Sequence, residues 1–369
     1  MSAPTVSVVM PVRNGERFVE QAARSILEQT FTDIELVIVD DGSTDGTPTL
    51  LRAIAARDER VLVLTAKRPE GIVRALNEGC RAARGRYLAR MDADDISLPR
   101  RIELQVELLD ATPDVGIVGG CMTCTNLSGS VSWPALYPPD DAAIRKTLAS
   151  ANPFGHPTVM MRREAFESCG GYRDVCRHAE DYELWVRLLD HWQGANLSEP
   201  VLVYRVHTDQ TAFRDWRRHC LSTLAVQAGA RTRRTDGHDP FEGVEVVSEA
   251  TVRELGVSER EIRTHFVESL TSLSNLAGYA GSKVERRRLL AIAAAEAEHK
   301  SIPRQTTARL ALVQAQAAFE DGDLVRGIAE VINASRVDAR AAGHYVYGYA
   351  HGLWHRRLTR LWPARYAAS

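Results

Sequence analysis

Three aspartates lie within four positions at the end of a predicted strand, in the sequence Met91-Asp92-Ala93-Asp94-Asp95. Carboxylates held this close repel one another, and a divalent cation with oxygen ligands relieves that repulsion. Asp92 and Asp94 are two positions apart, so an extended backbone would point both side chains to one side. The pattern therefore predicts a divalent metal site. The alternative is a solvated acidic turn that caps the following helix.

A second acidic motif, Val39-Asp40-Asp41-Gly42-Ser43, follows another apolar and β-branched run. A carboxylate at the carboxyl end of a buried strand can accept hydrogen bonds from a ribose or a base. An ordinary loop between a strand and a capped helix would have the same residue types. A phosphoacceptor signalling module built around Asp40 and Asp41 is a further, weaker interpretation.

Two later segments offer a base and another metal ligand. Asp181 follows Glu180 at the predicted start of a helix, where the helix dipole favours an ionised carboxylate suited to general-base chemistry. Helix capping alone would also explain this pair. His207 follows the last predicted strand, and its neutral imidazole could bind a divalent metal. A packing or surface role is the alternative for His207.

Strands and helices must position these residues, and the first half of the chain alternates between them. Apolar patterning predicts strands at 6–10, 34–39, 61–64, 87–91, 115–119 and 200–206, and helices at 15–29, 47–57, 72–84, 99–110 and 180–191. Residues 120–141 are predicted to be irregular. The fold class is therefore α/β, with a mostly parallel sheet flanked by helices. Ligands of such sheets bind beyond the carboxyl ends of the strands, where Pro11, Asp40 and Asp92 fall.

The second half of the chain is predicted to be helical. Strand signals nearly vanish beyond residue 211, apart from a short run at 244–247, and helices are expected across 252–335 with a break at 321–323. We therefore predict one domain over residues 1–215 and a helical region over 216–369. Residues 336–369 hold six arginines against one aspartate, interleaved with Tyr and Trp. This composition suits peripheral contact with an anionic membrane, or a helix that docks on the helical region.

Composition excludes several classes of protein. The 369 residues include 46 Lys and Arg against 48 Asp and Glu, a net charge of −2, so no overall positive field favours nucleic acid. No run approaches the roughly 18 apolar residues that would span a bilayer. Six cysteines are too few for a disulfide scaffold and fit reduced thiols. We expect a cytoplasmic location, in one interpretation at the inner face of the cell membrane.

Taken in order, these segments resemble the family 2 glycosyltransferases of the GT-A fold. The run 8–14 is similar to the family's opening strand, and 39–45 to its second-strand motif. Residues 91–95 match its DXD metal motif, and Glu180-Asp181 its acidic pair. The resemblance covers about residues 4–215. The Gln-x-x-Arg-Trp sequence of processive synthases is absent, which indicates transfer of one sugar per binding event.

The resemblance implies a role for each residue of the site. Asp181 would be the catalytic base, and Asp94 and His207 would bind Mn²⁺ or Mg²⁺. The nucleotide-sugar site would comprise Pro11, Val12, Asn14, Asp40, Gly71, Asp92 and Ala93. The turn at 152–157 is one that family members often carry near the acceptor side, and a packing role fits it at least as well as acceptor contact.

The resemblance also implies the reaction. An inverting enzyme would move one sugar from a nucleoside diphosphate sugar, with a UDP-sugar as the favoured donor. The acceptor would be a hydroxyl of a glycan or lipid-linked saccharide in bacterial surface polysaccharide synthesis. The alternative is a non-catalytic sugar-nucleotide-binding or scaffolding protein that keeps the fold.

Overall fold

A computed structural model describes residues 3–299 and 301–338. The described residues divide into two compact units, the first ending at Val257 and the second beginning at Ser258. The strands of the first unit are β1 (Val6–Val12), β2 (Ile34–Asp40), β3 (Val61–Thr65), β4 (Tyr87–Arg90), β5 (Ile96–Ser97), β6 (Val115–Asn126), β7 (Ser132–Ala135), β8 (Met160–Arg162) and β9 (Gln193–Val206).

Ten helices belong to the described part of the first unit. They are α1 (Val19–Leu27), α2 (Thr47–Arg57), α3 (Ile72–Ala82), α4 (Arg101–Ala111), α5 (Asp141–Leu148), α6 (Arg163–Ser168), α7 (Glu180–Leu188), α8 (Thr211–Arg214), α9 (Trp216–Asp236) and α10 (Glu249–Glu254). Short 3-10 turns lie at His156–Thr158 and Asp174–Cys176.

One mixed sheet runs through the first unit in the order β3-β2-β1-β4-β8-β6-β9-β5, with β7 beside β6. Its central strands are continuous apolar runs whose inward side chains, including Val8, Met10, Leu36 and Ile38, are fully buried. Helices cover such a sheet on both faces, so nearly every position of its strands is apolar. The predicted α/β class is confirmed.

The sheet contains more antiparallel pairing than the alternation of strands and helices indicated. Four strand pairs are parallel and four are antiparallel. β6 and β9 form a long parallel pair, and the short β8 lies antiparallel between β4 and β6. Strands β1 to β4 thus form a parallel half of the sheet. Beyond β4 the strands pair in both parallel and antiparallel directions.

Helix α9 belongs to the first unit, because its side chains bind the elements around α7. Arg233 Nε forms an ion pair with Asp190 at 3.0 Å, and Gln227 donates to the Ser150 carbonyl at 2.6 Å. The compact unit therefore extends past residue 215, where the sequence predicted the boundary. The assignment of residues 1–215 to a catalytic domain and 216–369 to a separate helical region stays a prediction.

The second unit consists, within the described residues, of α11 (Glu259–Tyr279), α12 (Lys283–Ala297), α13 (Arg304–Glu320) and α14 (Leu324–Val337). Ser258 and Glu261 form a capping box at the start of α11. Gly322, with φ +83°, separates α13 from α14 at the predicted break. Among the described residues, no helix combines the length and the apolar character needed to cross a membrane. The predicted membrane contact falls almost wholly on 339–369, which lie outside the described residues.

Candidate active site

The loops that follow β1 and β2 are bound to each other at the carboxyl edge of the sheet. Asn14 Oδ1 accepts a hydrogen bond from the Thr44 amide at 2.8 Å, and the Asn14 amide donates to Ser43 Oγ at 2.8 Å. Asn14 has φ +53°, a left-handed conformation that asparagine tolerates better than most residues. Pro11 and Val12 form the end of β1, where Val12 is paired with Asp40 of β2.

Asp40 presents a carboxylate oxygen that is free to accept a hydrogen bond. Its side chain is buried, and Oδ1 accepts from the Ser43 amide at 3.0 Å. Oδ2 has no hydrogen-bond partner within the described residues. Because buried polar atoms are almost always hydrogen-bonded, this oxygen is suited to an N–H or O–H donor of a ligand.

Asp41 brings a third loop to the same edge. Its two carboxylate oxygens accept from the amides of Glu70 and Gly71, at 2.6 and 3.0 Å. Gly71 has φ +94°, and no atom lies within 4 Å of where its side chain would begin. Gly71 therefore leaves open space beside the β2 loop.

The three aspartates form a tight turn between β4 and β5. Asp92 Oδ2 accepts from Arg90 Nη1 at 2.5 Å, and Asp95 Oδ1 accepts from the Arg205 amide at 2.9 Å. Asp94 Oδ2 lies 3.0 Å from His207 Nε2. Carboxylate oxygens of Asp92, Asp94 and Asp95 all lie within 4.8 Å of one another.

Burial and mutual repulsion act on the aspartate turn. Burial raises the pKa of Asp92, and the neighbouring Asp94 charge raises it further, although the Arg90 guanidinium opposes both effects. Burial raises the pKa of Asp95 well above its ordinary value, with Asp92 and Asp94 adding to the shift. Oδ2 of Asp95 is also buried without a partner in the described residues. Carboxylates with an imidazole are a donor set that Mg²⁺ or Mn²⁺ accepts, so these residues fit a divalent cation.

The end of β9 holds His207 in place. Its imidazole is stacked on the Phe18 ring, with 5.6 Å between centroids. Its amide donates to Gln210 Oε1 at 3.3 Å, and Gln210 Nε2 donates back to the Arg205 carbonyl at 2.8 Å. Arg205 Nη1 in turn donates to the Asp94 carbonyl at 2.6 Å. The histidine and the aspartate turn are therefore fixed relative to each other.

Asp181 lies in the first turn of α7. Its Oδ2 accepts from Asn152 Nδ2 at 2.7 Å, and burial raises its pKa above the ordinary value. Glu180 Oε2 accepts from the His178 amide at 2.6 Å, while burial and the Asp181 charge raise the pKa of Glu180 to about 7. The Asp181 charge also contributes to the raised pKa of Asp92. The charge of Asp181 and the aspartate turn therefore lie close enough to act on each other.

Comparison with known proteins decides the family. The model described as "Glycosyl transferase family 2" matches residues 7–170. Over 220 residues the chain is 36% identical to a protein of Bacillus subtilis that is named as the glycosyltransferase EpsE. The match covers 58% of this chain and 76% of EpsE. The chain belongs to glycosyl transferase family 2. The resemblance predicted from the motifs is thus confirmed.

Other relatives of this family 2 glycosyltransferase carry more specific names. It is 33% identical over 214 residues to the O-antigen biosynthesis glycosyltransferase WbnJ of Escherichia coli, covering 56% of this chain and 81% of WbnJ. A solved mannosyltransferase from Pyrobaculum calidifontis, in complex with GDP-Man and Mn²⁺, has 22% identity and a TM-score of 0.50. That alignment covers 90% of this chain and 88% of the other, and it supports the GT-A fold.

The structure of the glycosyltransferase brings the predicted nucleotide-sugar and metal residues together at one edge of the sheet, and Asp181 lies on α7. Ala93 lies beside the β1 loop, because a methyl group added at Gly15 would lie 3.9 Å from its Cβ. The contacts described above join Asn14, Asp40 and Gly71 at that edge, and they join Asp94 to His207. Their roles in binding and catalysis remain predictions.

Sequence analysis assigned no role to three residues that the structure finds at the site. Asp95 belongs to the acidic motif, and its buried carboxylate accepts a hydrogen bond from the Arg205 amide. Arg90, in the strand before the motif, supplies the ion pair to Asp92. Asn152 opens a turn rich in Pro and Gly, a composition that indicates a fixed loop but not the partner of its side chain.

Proposed function

We propose that this family 2 glycosyltransferase transfers one sugar from a nucleoside diphosphate sugar to a hydroxyl of a glycan or lipid-linked saccharide, with inversion at the anomeric carbon. The observation that carries the proposal is the pair Asp94–His207, at 3.0 Å, beside an Asp92 whose pKa the Asp181 charge raises. The names of WbnJ and of the amylovoran biosynthesis protein AmsE support a role in bacterial surface polysaccharide synthesis.

The donor nucleotide would bind across the loops after β1 and β2. The partnerless Oδ2 of Asp40 would accept a hydrogen bond from the base, and the N3–H of uracil is a donor of the required kind. Pro11, Val12 and Asn14 would line the base pocket. Asp92 would contact the ribose or the metal, while Gly71 and Ala93 would leave room for the rest of the donor. A UDP-sugar is the donor we favour.

Asp94 and His207 would hold Mn²⁺ or Mg²⁺, with Asp92 beside them. The cation would offset the negative charge that gathers on the diphosphate as it leaves. The complex of the mannosyltransferase with Mn²⁺ supports a cofactor of this class. Arg205 contributes to this part of the site by fixing the backbone of Asp94 against that of β9.

Asp181 would act as the general base. It would take the proton of the acceptor hydroxyl while the acceptor oxygen bonds to the anomeric carbon and the bond from that carbon to the diphosphate breaks. A single displacement of this kind inverts the anomeric configuration and releases a nucleoside diphosphate. Burial raises the pKa of Asp181, and a higher pKa makes the carboxylate a stronger base.

The alternative function is binding of sugar nucleotides without catalysis, with the protein serving as a scaffold. The Asp94–His207 pair together with the buried carboxylate of Asp181 favours catalysis, because a scaffold has no need of a buried base. We further propose a cytoplasmic location at the inner face of the membrane, where lipid-linked acceptors are available.

The test is a donor screen with the full-length protein. Release of nucleoside diphosphate would be measured from UDP-, GDP- and dTDP-sugars with lipid-linked saccharides as acceptors, in Mn²⁺, in Mg²⁺ and in excess chelator. We expect release from one donor, its loss in chelator, and a product of inverted anomeric configuration by NMR. Asp94→Ala should weaken binding of the donor diphosphate. Donor binding without release under any condition would favour the scaffold, and full activity in chelator would refute the metal assignment.

A further inference from the structure

The turn that runs from Asn152 to His156 contacts the carboxylate of the proposed base. We propose that Asn152 and His156 are positioning residues that hold Oδ2 of Asp181 and so direct Oδ1 at the acceptor hydroxyl. This inference rests on the proposed role of Asp181. It gives a function to a turn for which the sequence left both packing and acceptor contact open, with packing favoured at least as much.

Asn152 makes the direct contact. Its Nδ2 donates to Asp181 Oδ2 at 2.7 Å, and its Oδ1 accepts from the Phe154 amide at 3.2 Å. The second hydrogen bond determines which way the amide faces, because only the oxygen can accept from a backbone N–H. The NH₂ group is therefore directed at the carboxylate.

His156 lies near the same oxygen, at a distance longer than a hydrogen bond. Burial lowers its pKa well below the ordinary value, with the Arg90 charge adding to the effect, so the imidazole is neutral and carries one proton. Nε2 lies 2.9 Å from the Tyr172 hydroxyl, and Nδ1 lies 4.0 Å from Asp181 Oδ2. When the Tyr172 hydroxyl donates to Nε2, the proton of His156 is on Nδ1 and faces the carboxylate.

Tyr172 is itself held firmly enough to fix that arrangement. Its amide donates to Asn77 Oδ1 at 3.0 Å, and Asn77 Nδ2 donates to its carbonyl at 2.9 Å. Burial raises the pKa of Tyr172 well above the ordinary value, so the hydroxyl keeps its proton. The chain of contacts thus leads from α3, through Tyr172 and His156, to the base on α7.

The turn also packs on the buried face of α7. The rings of Phe154 and His156 both meet Trp185 edge to face, with 5.7 and 5.9 Å between centroids. Trp185 is fully buried. The turn packs on α7, and the proposed base Asp181 is a residue of α7. A donor on the turn can therefore hold the carboxylate in one rotamer.

The Asn152 donor on Oδ2 has a consequence that can be measured. Hydrogen bonds to a carboxylate stabilise its charged form, so they oppose the rise in pKa that burial causes. The Asn152 bond does lower the pKa of Asp181 in this way. The other titratable and charged groups whose charges interact with Asp181 are Arg90, Asp92, Glu180, His219, Tyr137, Tyr172 and Tyr182. These groups stay in place when Asn152 is replaced.

The first experiment compares Asn152→Ala with the unmodified full-length enzyme and with Asn275→Ala on α11 as a matched control. We expect kcat to fall about 10- to 100-fold, the effect of losing a hydrogen bond to a charged group, with the donor affinity unchanged. The acidic limb of the kcat/KM profile should move to higher pH. A change in packing alone would lower kcat without moving that limb.

The second experiment distinguishes the two nitrogens of His156. An asparagine amide can reach the position of Nδ1, whereas a glutamine amide reaches that of Nε2. We therefore expect His156→Asn to retain more activity than His156→Gln, and Tyr172→Phe to move the acidic limb in the same direction as Asn152→Ala. Equal losses in both His156 variants, with an unshifted pH profile, would overturn the role of His156.

Controls separate this inference from the proposed function. If the unmodified enzyme releases no nucleoside diphosphate, both proposals fall together. If it turns over, Asp181→Asn does not, and Asn152→Ala keeps a normal rate and profile, only the positioning role is refuted. Thermal unfolding identifies variants that fail to fold. If Asn152→Ala does not fold, the comparison of His156→Asn with His156→Gln tests the positioning role instead.

Discussion

Asp181 is the residue on which the proposed chemistry depends most directly. Asp181→Asn keeps the shape and the hydrogen bond from Asn152 but removes the proton acceptor. We expect the rate of transfer to fall by roughly 10²–10⁴, the range typical of a lost general base, while donor binding persists. Single-turnover rates and calorimetric donor titration would measure both effects.

Asp174→Asn is the control for this substitution, because Asp174 is 45% exposed and pairs with Arg177. It should leave both quantities unchanged. Near-normal transfer by Asp181→Asn would move the role of base elsewhere, first of all to the neighbouring Glu180.

Glu180 should make the stability of the folded protein depend on pH. Its pKa is about 7 in the fold, against an ordinary value of 4.5. A raised pKa contributes stability below the unfolded value, and that contribution is lost as pH rises through the folded value. Glu180→Gln keeps an acceptor for the His178 amide but cannot ionise. The variant should therefore gain stability relative to the unmodified protein between pH 5 and pH 8.

Urea unfolding at pH 5 and at pH 8 would measure this gain. Each unit of pKa shift corresponds to about 1.4 kcal/mol, so a gain of a few kcal/mol is the upper bound. If the free energy of unfolding of Glu180→Gln differed from that of the unmodified protein by the same amount at pH 5 and at pH 8, the prediction would be contradicted.

Residues that act through local sequence were predictable, and those that act through distant contacts were not. Asp92 and Asp94 share one motif, so their spacing alone indicated a metal site. Asn152 and Asp181 are 29 positions apart, and only the fold brings the amide to the carboxylate. His207 was assigned to the metal site through the family resemblance, since a single histidine after a strand belongs to no pattern that would favour metal binding over packing.

Elements with a clear period were predicted well. Helix α2 has the predicted bounds, and the predicted β1 to β4 differ from the observed strands by two residues or fewer. The short strand signal at 244–247 does not correspond to a strand, because these residues form bends and irregular structure in which Val246 is 53% exposed.

The sequence predicted only part of β6 and of β9, since the glycine and proline residues in these segments are typical of strand breaks. Residues 120–141 were predicted to be irregular, yet β6 continues to Asn126 and β7 follows. The ladder of β6 and β9 has register shifts next to Cys121, which lies opposite Pro200. A bulge of this kind accommodates a residue that cannot donate to the ladder.

The loop after β2 offers a test of the element that would hold the nucleotide. Gly42 has φ +67°, and a side chain there would begin 2.8 Å from the Pro69 backbone nitrogen. Gly42→Ala therefore adds both conformational strain and a clash with backbone. We expect a loss of about 1–3 kcal/mol in stability and weaker donor binding.

Gly281→Ala is the matched control, because Gly281 also has a positive φ, +82°, but open space around it. It should show the strain alone and unchanged donor affinity. Donor binding and stability that are unaffected in Gly42→Ala would show that the loop adjusts without cost.

At the scale of the whole molecule, the basic and aromatic segment 336–369 is predicted to hold the enzyme at an anionic membrane. Residues 339–369 lie outside the described residues, so this prediction rests on composition. Each arginine near such a surface contributes about 1 kcal/mol, and binding should weaken with salt. Co-sedimentation of the full chain, and of a chain ending at residue 338, with anionic and neutral vesicles would test it. Equal partitioning of the two chains would assign the aromatic residues to packing instead.

The contact between Asp94 and His207 joins residues that are 113 positions apart. Strands β1 to β4 can pair while later residues are still being synthesised, since β1, β2 and β3 pair in chain order and β4 then pairs with β1. The aspartate turn is thus present on a nascent chain long before its histidine has left the ribosome. Translation that stops before position 207 yields the donor loops without this ligand pair, so an interrupted chain cannot assemble the proposed metal site.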